Sequence, residues 1–213
     1  MMQKTERSPS RARATSEEKL IDAAADLLGE VGPRAMSVRA IAHRAGVNHG
    51  LVHHYFAGKE GLLRAAMLRL VHEHAEFAKE QSGGGPVPAP LTLKDDQRYL
   101  RAVVRSVLDG EMELAQMELT AGVSVPRSAL QHVVDNRQLS SADSEIKAMV
   151  TIAMAMEMGW AALEPFLFAV AEVSDEQEKE LVREFARKFG RGFVEKNLHE
   201  LSKFATTVRN DVR

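Results

Sequence analysis

Between Ser37 and Phe56 the chain carries two short apolar stripes separated by a single glycine, and few folds accommodate that pattern. Val38, Ile41, Ala42 and Ala45 recur at three and four residues, the spacing of one helical face. Ser37 stands before them as an N-cap, its hydroxyl able to accept from a backbone N–H that the first turn leaves unpaired. Gly46 follows where a left-handed residue stops a helix, and Val47 can then seal the turn by packing inward. Asn48 is the next N-cap. The spacing predicts a second helix running to about Tyr55, with Val52 and Phe56 as its inward residues. Around those two, His49, Gly50, Leu51, His53, His54 and Tyr55 are free to face outward.

Two short helices joined by a tight glycine turn make a helix-turn-helix. That geometry sets the second helix across the first, so its N-terminal half can enter a major groove. The same shape also occurs as plain packing in helical bundles.

The rest of the chain is built for helices. Only 5% of its 213 residues are aromatic, while Ala, Leu, Met and Glu are plentiful. There is no Cys, which excludes disulfides, thiolate metal sites and Cys nucleophiles. No apolar run reaches the ~18 residues of a membrane span. Residues 1–14 are polar and basic with no signal-type stretch, so a cytoplasmic location and no membrane partner are expected. Net charge divides mildly: 12 Lys+Arg against 10 Asp+Glu over residues 1–81, and 16 against 20 over residues 82–213. This permits nucleic-acid binding without showing it.

Thr15-Ser16-Glu17-Glu18 has capping-box spacing, which predicts a first helix from Thr15 with Leu20, Ala23, Ala24, Leu27 and Leu28 on its apolar face. Residues 1–14 then form a flexible basic arm carrying Lys4, Arg7, Arg11 and Arg13, either a solvated tail or a contact for phosphates or the minor groove. A long fourth helix is expected over 59–81. The glycines and prolines of 82–90 break the chain after it. Further helices are expected over 94–109, 111–121, 126–138, 143–172 and 175–200. The fold class is all-α, with about nine helices. The expected divisions are the arm (1–14), a helix-turn-helix domain (15–58) and a larger helical domain (59–213).

The stretch Ser37-Val38-Arg39-x-Ile41-Ala42-x-x-Ala45-Gly46-Val47, then Gly50-x-Val52, Tyr55-Phe56 and Lys59-Glu60-x-Leu62-Leu63, strongly resembles the tetracycline-repressor (TetR) family of bacterial regulators. The resemblance covers residues 15–65. It implies that Ser37 holds a phosphate and that Arg39 faces DNA, where it can read a guanine. It places Asn48, His49, Gly50 and Leu51 at the base-reading start of the recognition helix, and His53, His54 and Tyr55 beside phosphates. Lys59 opens the fourth helix and supplies a further phosphate contact. The family usually has Tyr where this chain has His53 and often Thr where it has Leu51, so at these two positions the chain departs from the family pattern.

Met149 to Val173 is the most apolar segment, and a helix apolar on nearly all sides must be buried on nearly all sides. Phe185, Phe189 and Phe193 lie four apart on one stripe of the last helix. An intramolecular core would account for both. The resemblance implies instead a two-fold dimer interface, here with Phe166, Leu181, Phe185, Phe189 and Phe193. It also implies an effector pocket for an apolar or amphipathic small molecule, for which Met112, Met117, Met154, Met158 and Trp160 are candidates beside their ordinary reading as core.

Other chemistries find little support. His49 and His53 share a helical face but lack a third metal ligand. His72-Glu73-His74 lacks the spacing of a zinc-protease helix, and Gly190-Arg191-Gly192 follows no strand. No metal, cofactor or catalytic centre is expected. The expectation is a sequence-specific DNA-binding transcriptional regulator, a ligand-responsive repressor that binds a palindromic operator as a homodimer. The alternatives are a small-molecule binding protein with a vestigial DNA-binding domain, and a helical enzyme.

Overall fold

A computed structural model describes the backbone of residues 9–85 and 87–211, and the side chains of 15–85 and 87–193. Its ordered elements are all helical. In chain order they are α1 (Pro9–Val31), α2 (Val38–Ala45), α3 (Gly50–Phe56), α4 (Lys59–Gln81), a 3₁₀ turn (Thr92–Asp95), α5 (Gln97–Leu108), α6 (Met112–Ala115), α7 (Met117–Thr120), α8 (Val125–Asn136), α9 (Ser144–Val170) and α10 (Glu176–Asp211).

Two sequence expectations are corrected. The first helix begins at Pro9, not Thr15, so part of the expected flexible arm is helical. Proline suits a helix's first turn, where its missing N–H is not needed, and Arg11, Ala12 and Arg13 are good helix formers. Lys4 and Arg7 lie outside the described residues, as do the side chains of Arg11 and Arg13. The helix expected over 111–121 is two single turns, α6 and α7, meeting at Gln116.

The chain forms two compact units. Along the chain they part within α4, between Glu73 and His74. The first comprises residues 1–73 together with 101–122. Its core includes Leu20 and Leu28 of α1, Ile41 of α2, Val52 of α3, Leu62, Met67 and Leu70 of α4, and Ala102 of α5. The ion pairs Arg69–Asp22 and Arg64–Glu113 tie its surface.

The second unit comprises residues 74–100 and 123–213. Val133 of α8 packs with Ile146 and Met149 of α9, and Leu130, Val150 and Phe193 close over them. Asp143 caps α9 by accepting from the N–H groups of Glu145 and Ile146. Glu157 reaches from α9 to the linker and accepts from the N–H groups of Leu91 (2.8 Å) and Leu93 (3.1 Å). This secures Leu91, which sits at φ 68°, a conformation costly for a residue with a branched side chain.

Near the end of α9, Arg183 of α10 grips Glu164 through two hydrogen bonds of 2.9 and 3.0 Å. Trp160 Nε1 donates to the same carboxylate at 2.9 Å, and the guanidinium lies 5.2 Å from the centre of the Phe168 ring. The Arg183 hydrogen bonds hold the Glu164 carboxyl below its ordinary value, against the opposing effect of desolvation.

By composition α9 is long and apolar enough to cross a bilayer, the one such helix among the described residues, although its sequence is interrupted by charged residues. Several of its large apolar residues, Ile152, Leu163, Phe166, Leu167 and Val170, are exposed. Phe166 is 64% exposed, and on α10 Leu181, Phe185 and Phe189 are 60%, 73% and 59% exposed.

Candidate nucleic-acid interface

The helix-turn-helix is built by local rules that can be followed atom by atom. Ser37 adopts extended backbone, and its Oγ accepts from Ala40 N–H at 3.1 Å. This satisfies a donor that the first turn of α2 leaves open. Ile41 and Ala42 are buried, which fixes the rotation of α2 and leaves Ser37 and Arg39 exposed.

Gly46 ends α2 at φ 65°, ψ 34°. Its N–H donates to the His43 carbonyl at 3.1 Å, and Val47 N–H donates to Ala42 at 3.0 Å. These are the paired hydrogen bonds of a Schellman turn. A β-carbon at Gly46 would meet nothing, so the glycine serves the backbone conformation and not a close contact. Val47 is half-buried, consistent with its sealing of the turn.

Asn48 Oδ1 accepts from Gly50 N–H at 2.8 Å, so the cap expected at Asn48 is present although the helix proper starts at Gly50. Val52 is fully buried and anchors α3. Asn48, His49, Gly50, His53 and His54 are exposed around it, while Leu51, Tyr55 and Phe56 are half-buried. The rings of His54 and Tyr55 lie 5.0 Å apart. Lys59, at the first position of α4, is half-buried.

The two α2 arginines differ in availability. Arg44 forms a two-pronged pair with Glu30 of α1, with Nη1 to Oε1 at 3.0 Å and a second bond from Nη2 to Oε2. The guanidinium holds the Glu30 carboxyl below its usual range, chiefly through these hydrogen bonds. Arg39 is exposed without such a partner among the described residues. The sequence pattern did not distinguish them, because the Glu30–Arg44 contact depends on how α1 and α2 cross.

The effector candidates divide between the two units. Met117 is buried and Met112 exposed in the first unit, whereas Met154, Met158 and Trp160 are half-buried on α9 in the second. A shallow groove of about 290 Å³ in the second unit is lined by Glu164, Phe168, Val173, Glu176, Lys179 and Arg183, none of them anticipated from sequence. Among the dimer candidates, Phe166, Leu181, Phe185 and Phe189 are exposed, while Phe193 packs on the α8–α9 core. Among the described residues no cluster of His, Asp and Glu is arranged to hold a metal.

A capped short helix, a left-handed glycine turn and a second short helix with its polar side outward define a helix-turn-helix. Comparison with known proteins agrees. Residues 20–66 match the family model of bacterial regulatory proteins, tetR family. The HTH-type transcriptional regulator BetI of Yersinia pestis is 32% identical over 130 residues, covering 58% of this chain and 63% of the relative. The chain thus spans somewhat under two thirds of the length of that relative. An HTH-type transcriptional regulator of Mycobacterium bovis is 28% identical over 163 residues, covering 73% of this chain and 77% of the relative.

Solved structures share the fold. GusR of Salmonella enterica has a TM-score of 0.51 at 17% identity, covering 89% of this chain and 98% of that one. A TetR-family regulator from Rhodococcus sp. also has a TM-score of 0.51, at 18% identity, covering 85% of this chain and 97% of that one. Over residues 20–66 the chain is thus similar to the TetR family.

Proposed function

We propose that this chain is a sequence-specific DNA-binding transcriptional regulator that uses α2 and α3 on a palindromic operator as a homodimer. The observation that carries this reading is the exposed row Asn48, His49, Gly50, His53 and His54 around a buried Val52, beside an exposed Arg39 that has no ion-pair partner among the described residues. A packed bundle helix gains nothing from such a face. The half-buried Leu51 sits at the same end, where its methyls can meet a thymine methyl. Ser37, His53, His54, Tyr55 and Lys59 are assigned to phosphates, and Arg39 to a guanine edge.

In mobility-shift assays with the DNA upstream of its own gene, Arg39→Ala should weaken binding by roughly 1–3 kcal/mol, with the loss concentrated at one base pair. Lys59→Ala should weaken binding evenly across sequences. If both variants bind like the wild type, this contact assignment is wrong.

The partner surface is assigned to a second copy of the chain. The exposed apolar residues of α9 and α10 belong to one unit and far exceed scattered surface hydrophobics. Two-fold pairing would present two recognition helices to successive major grooves and require a palindromic site. An apolar or amphipathic effector that releases DNA, making the chain a repressor, is assigned to the α9 region around Met154, Met158 and Trp160. Met adapts to varied apolar ligands. In a thermal-shift screen, acyl-CoAs, lipids or hydrophobic drugs should raise the melting temperature where polar metabolites do not, and failure of all three classes would count against this assignment.

A further inference from the structure

Arg105 in the last turn of α5 and Asp109, the residue just past the end of α5, both close on the turn that leads into α2, contacts separate from those assigned to DNA. All the residues concerned lie within the first unit. Arg105 Nε donates to the Gly29 carbonyl at 2.8 Å. That carbonyl lies in the last turn of α1, where helix geometry leaves carbonyls without intrahelical partners and the helix dipole favours a cation. Asp109 Oδ2 accepts from Arg34 N–H at 3.0 Å.

Gly32 lies between the two contacts at φ 80°, and a β-carbon on it would stand 2.8 Å from Asp109 Oδ2 and 3.5 Å from Arg105 Cβ. The turn therefore packs closely against the end of α5 and the Asp109 carboxylate. Arg34 is three residues before Ser37, and the intervening Met36 is buried. The start of α2 thus hangs from a turn held by α5 on one side and by the core on the other.

We propose that Asp109 and Arg105 are positioning residues for DNA contact, fixing the 29–34 turn and through it the end of α2 that carries Ser37 and Arg39. The proposal rests on the DNA-binding reading above. Recognition contacts need placement to about 0.5 Å, which side chains on a loose turn do not hold. Asp109 touches no DNA in this account. Its effect on binding passes through Arg39 and Ser37, while α3, anchored separately by Val52, keeps its place.

The test is a double-mutant cycle on the full chain, read by fluorescence anisotropy on the upstream duplex beside a scrambled duplex. Asp109→Ala should weaken specific binding about tenfold, and Asp109→Asn, which keeps an oxygen acceptor for the Arg34 N–H, should recover most of it. In an Arg39→Ala background, Asp109→Ala should cost less than about threefold more, because the contact it serves is already gone. Additive losses, with Asp109→Ala about tenfold in both backgrounds, would reduce Asp109 to a folding role and overturn the proposal, as would wild-type binding by Asp109→Ala. Should Asp109→Ala not fold, Arg105→Ala leaves the Arg34–Asp109 bond in place and carries the same cycle, with Arg105→Lys as the rescuing variant. If the wild type does not prefer the upstream duplex over the scrambled one, the DNA-binding reading itself fails and this proposal falls with it. A wild-type preference with an additive cycle sinks the positioning role alone.

Discussion

Phe185→Asp combined with Phe189→Asp should leave the chain monomeric and abolish operator binding, although neither residue belongs to the helix-turn-helix unit. The two phenylalanines are 73% and 59% exposed, and Leu181 and Phe166 add 60% and 64%. Covering a large apolar side chain is worth about 1.5–3 kcal/mol, and two-fold symmetry counts every contact twice. Two carboxylates at the centre of such a face would have to be desolvated without partners, a cost of several kcal/mol per copy.

Losing the partner leaves one recognition helix on one half-site. The second half-site then no longer binds at the high effective concentration that linkage provides, so affinity should fall by roughly 10²- to 10⁴-fold. Sedimentation velocity and anisotropy on the operator check both halves of the expectation. Because the substitutions face solvent in the single chain, the melting temperature at low concentration should change little. A variant that stays dimeric places the dimer contact elsewhere. Wild-type chain that stays monomeric in solution but floats with anionic lipid vesicles would give this face, and the span-like α9, to a membrane instead.

Val52→Asp should produce the converse result, with operator binding lost and the dimer intact. Val52 is fully buried and is the only completely buried side chain of α3. A helix of seven residues is far too short to hold itself together in water, so its order comes from this anchoring. A carboxylate at that position must be desolvated without a counter-ion or must pull α3 out of the core. The expected destabilisation of the first unit is about 3–5 kcal/mol. The second unit has its own core around Ile146 and Met149 and should remain folded. Urea unfolding should then show an early transition absent from the wild type, and operator affinity should fall at least about 100-fold. Retained tight binding by this variant would mean that α3 does not read the DNA.

Much of the first unit was legible in the sequence because its rules are local. The Ser37 cap, the Gly46 stop and the inward Val52 each follow from neighbours within a few residues, and the structure places each where spacing predicts it. The Asn48 cap was also found, with the helix starting slightly later than a side-chain cap alone implies. Misses arose where distant segments meet. Glu30 occupies Arg44, and Arg105 and Asp109 close on Gly29 and Arg34 from more than 70 positions away. No periodicity encodes those pairings. In the C-terminal region the four-residue stripe was visible, but its members divide between surface and core. Phe185 and Phe189 stay outside while Phe193 turns onto α8 and α9, because a straight stripe drifts around a 3.6-residue helix. The methionines carried no positional signal at all, since Met fits irregular space anywhere.

The most direct measurement of the central claim is the affinity of the full chain for the duplex upstream of its own gene, against a scrambled duplex of equal length, across a salt series. At physiological salt the upstream duplex should be preferred by at least about 10³-fold. Log affinity should also fall steeply and linearly with log salt, as counterions are released at the two copies of Lys59 and neighbouring contacts. Equal affinity for the two duplexes, or binding indifferent to salt, would contradict that claim.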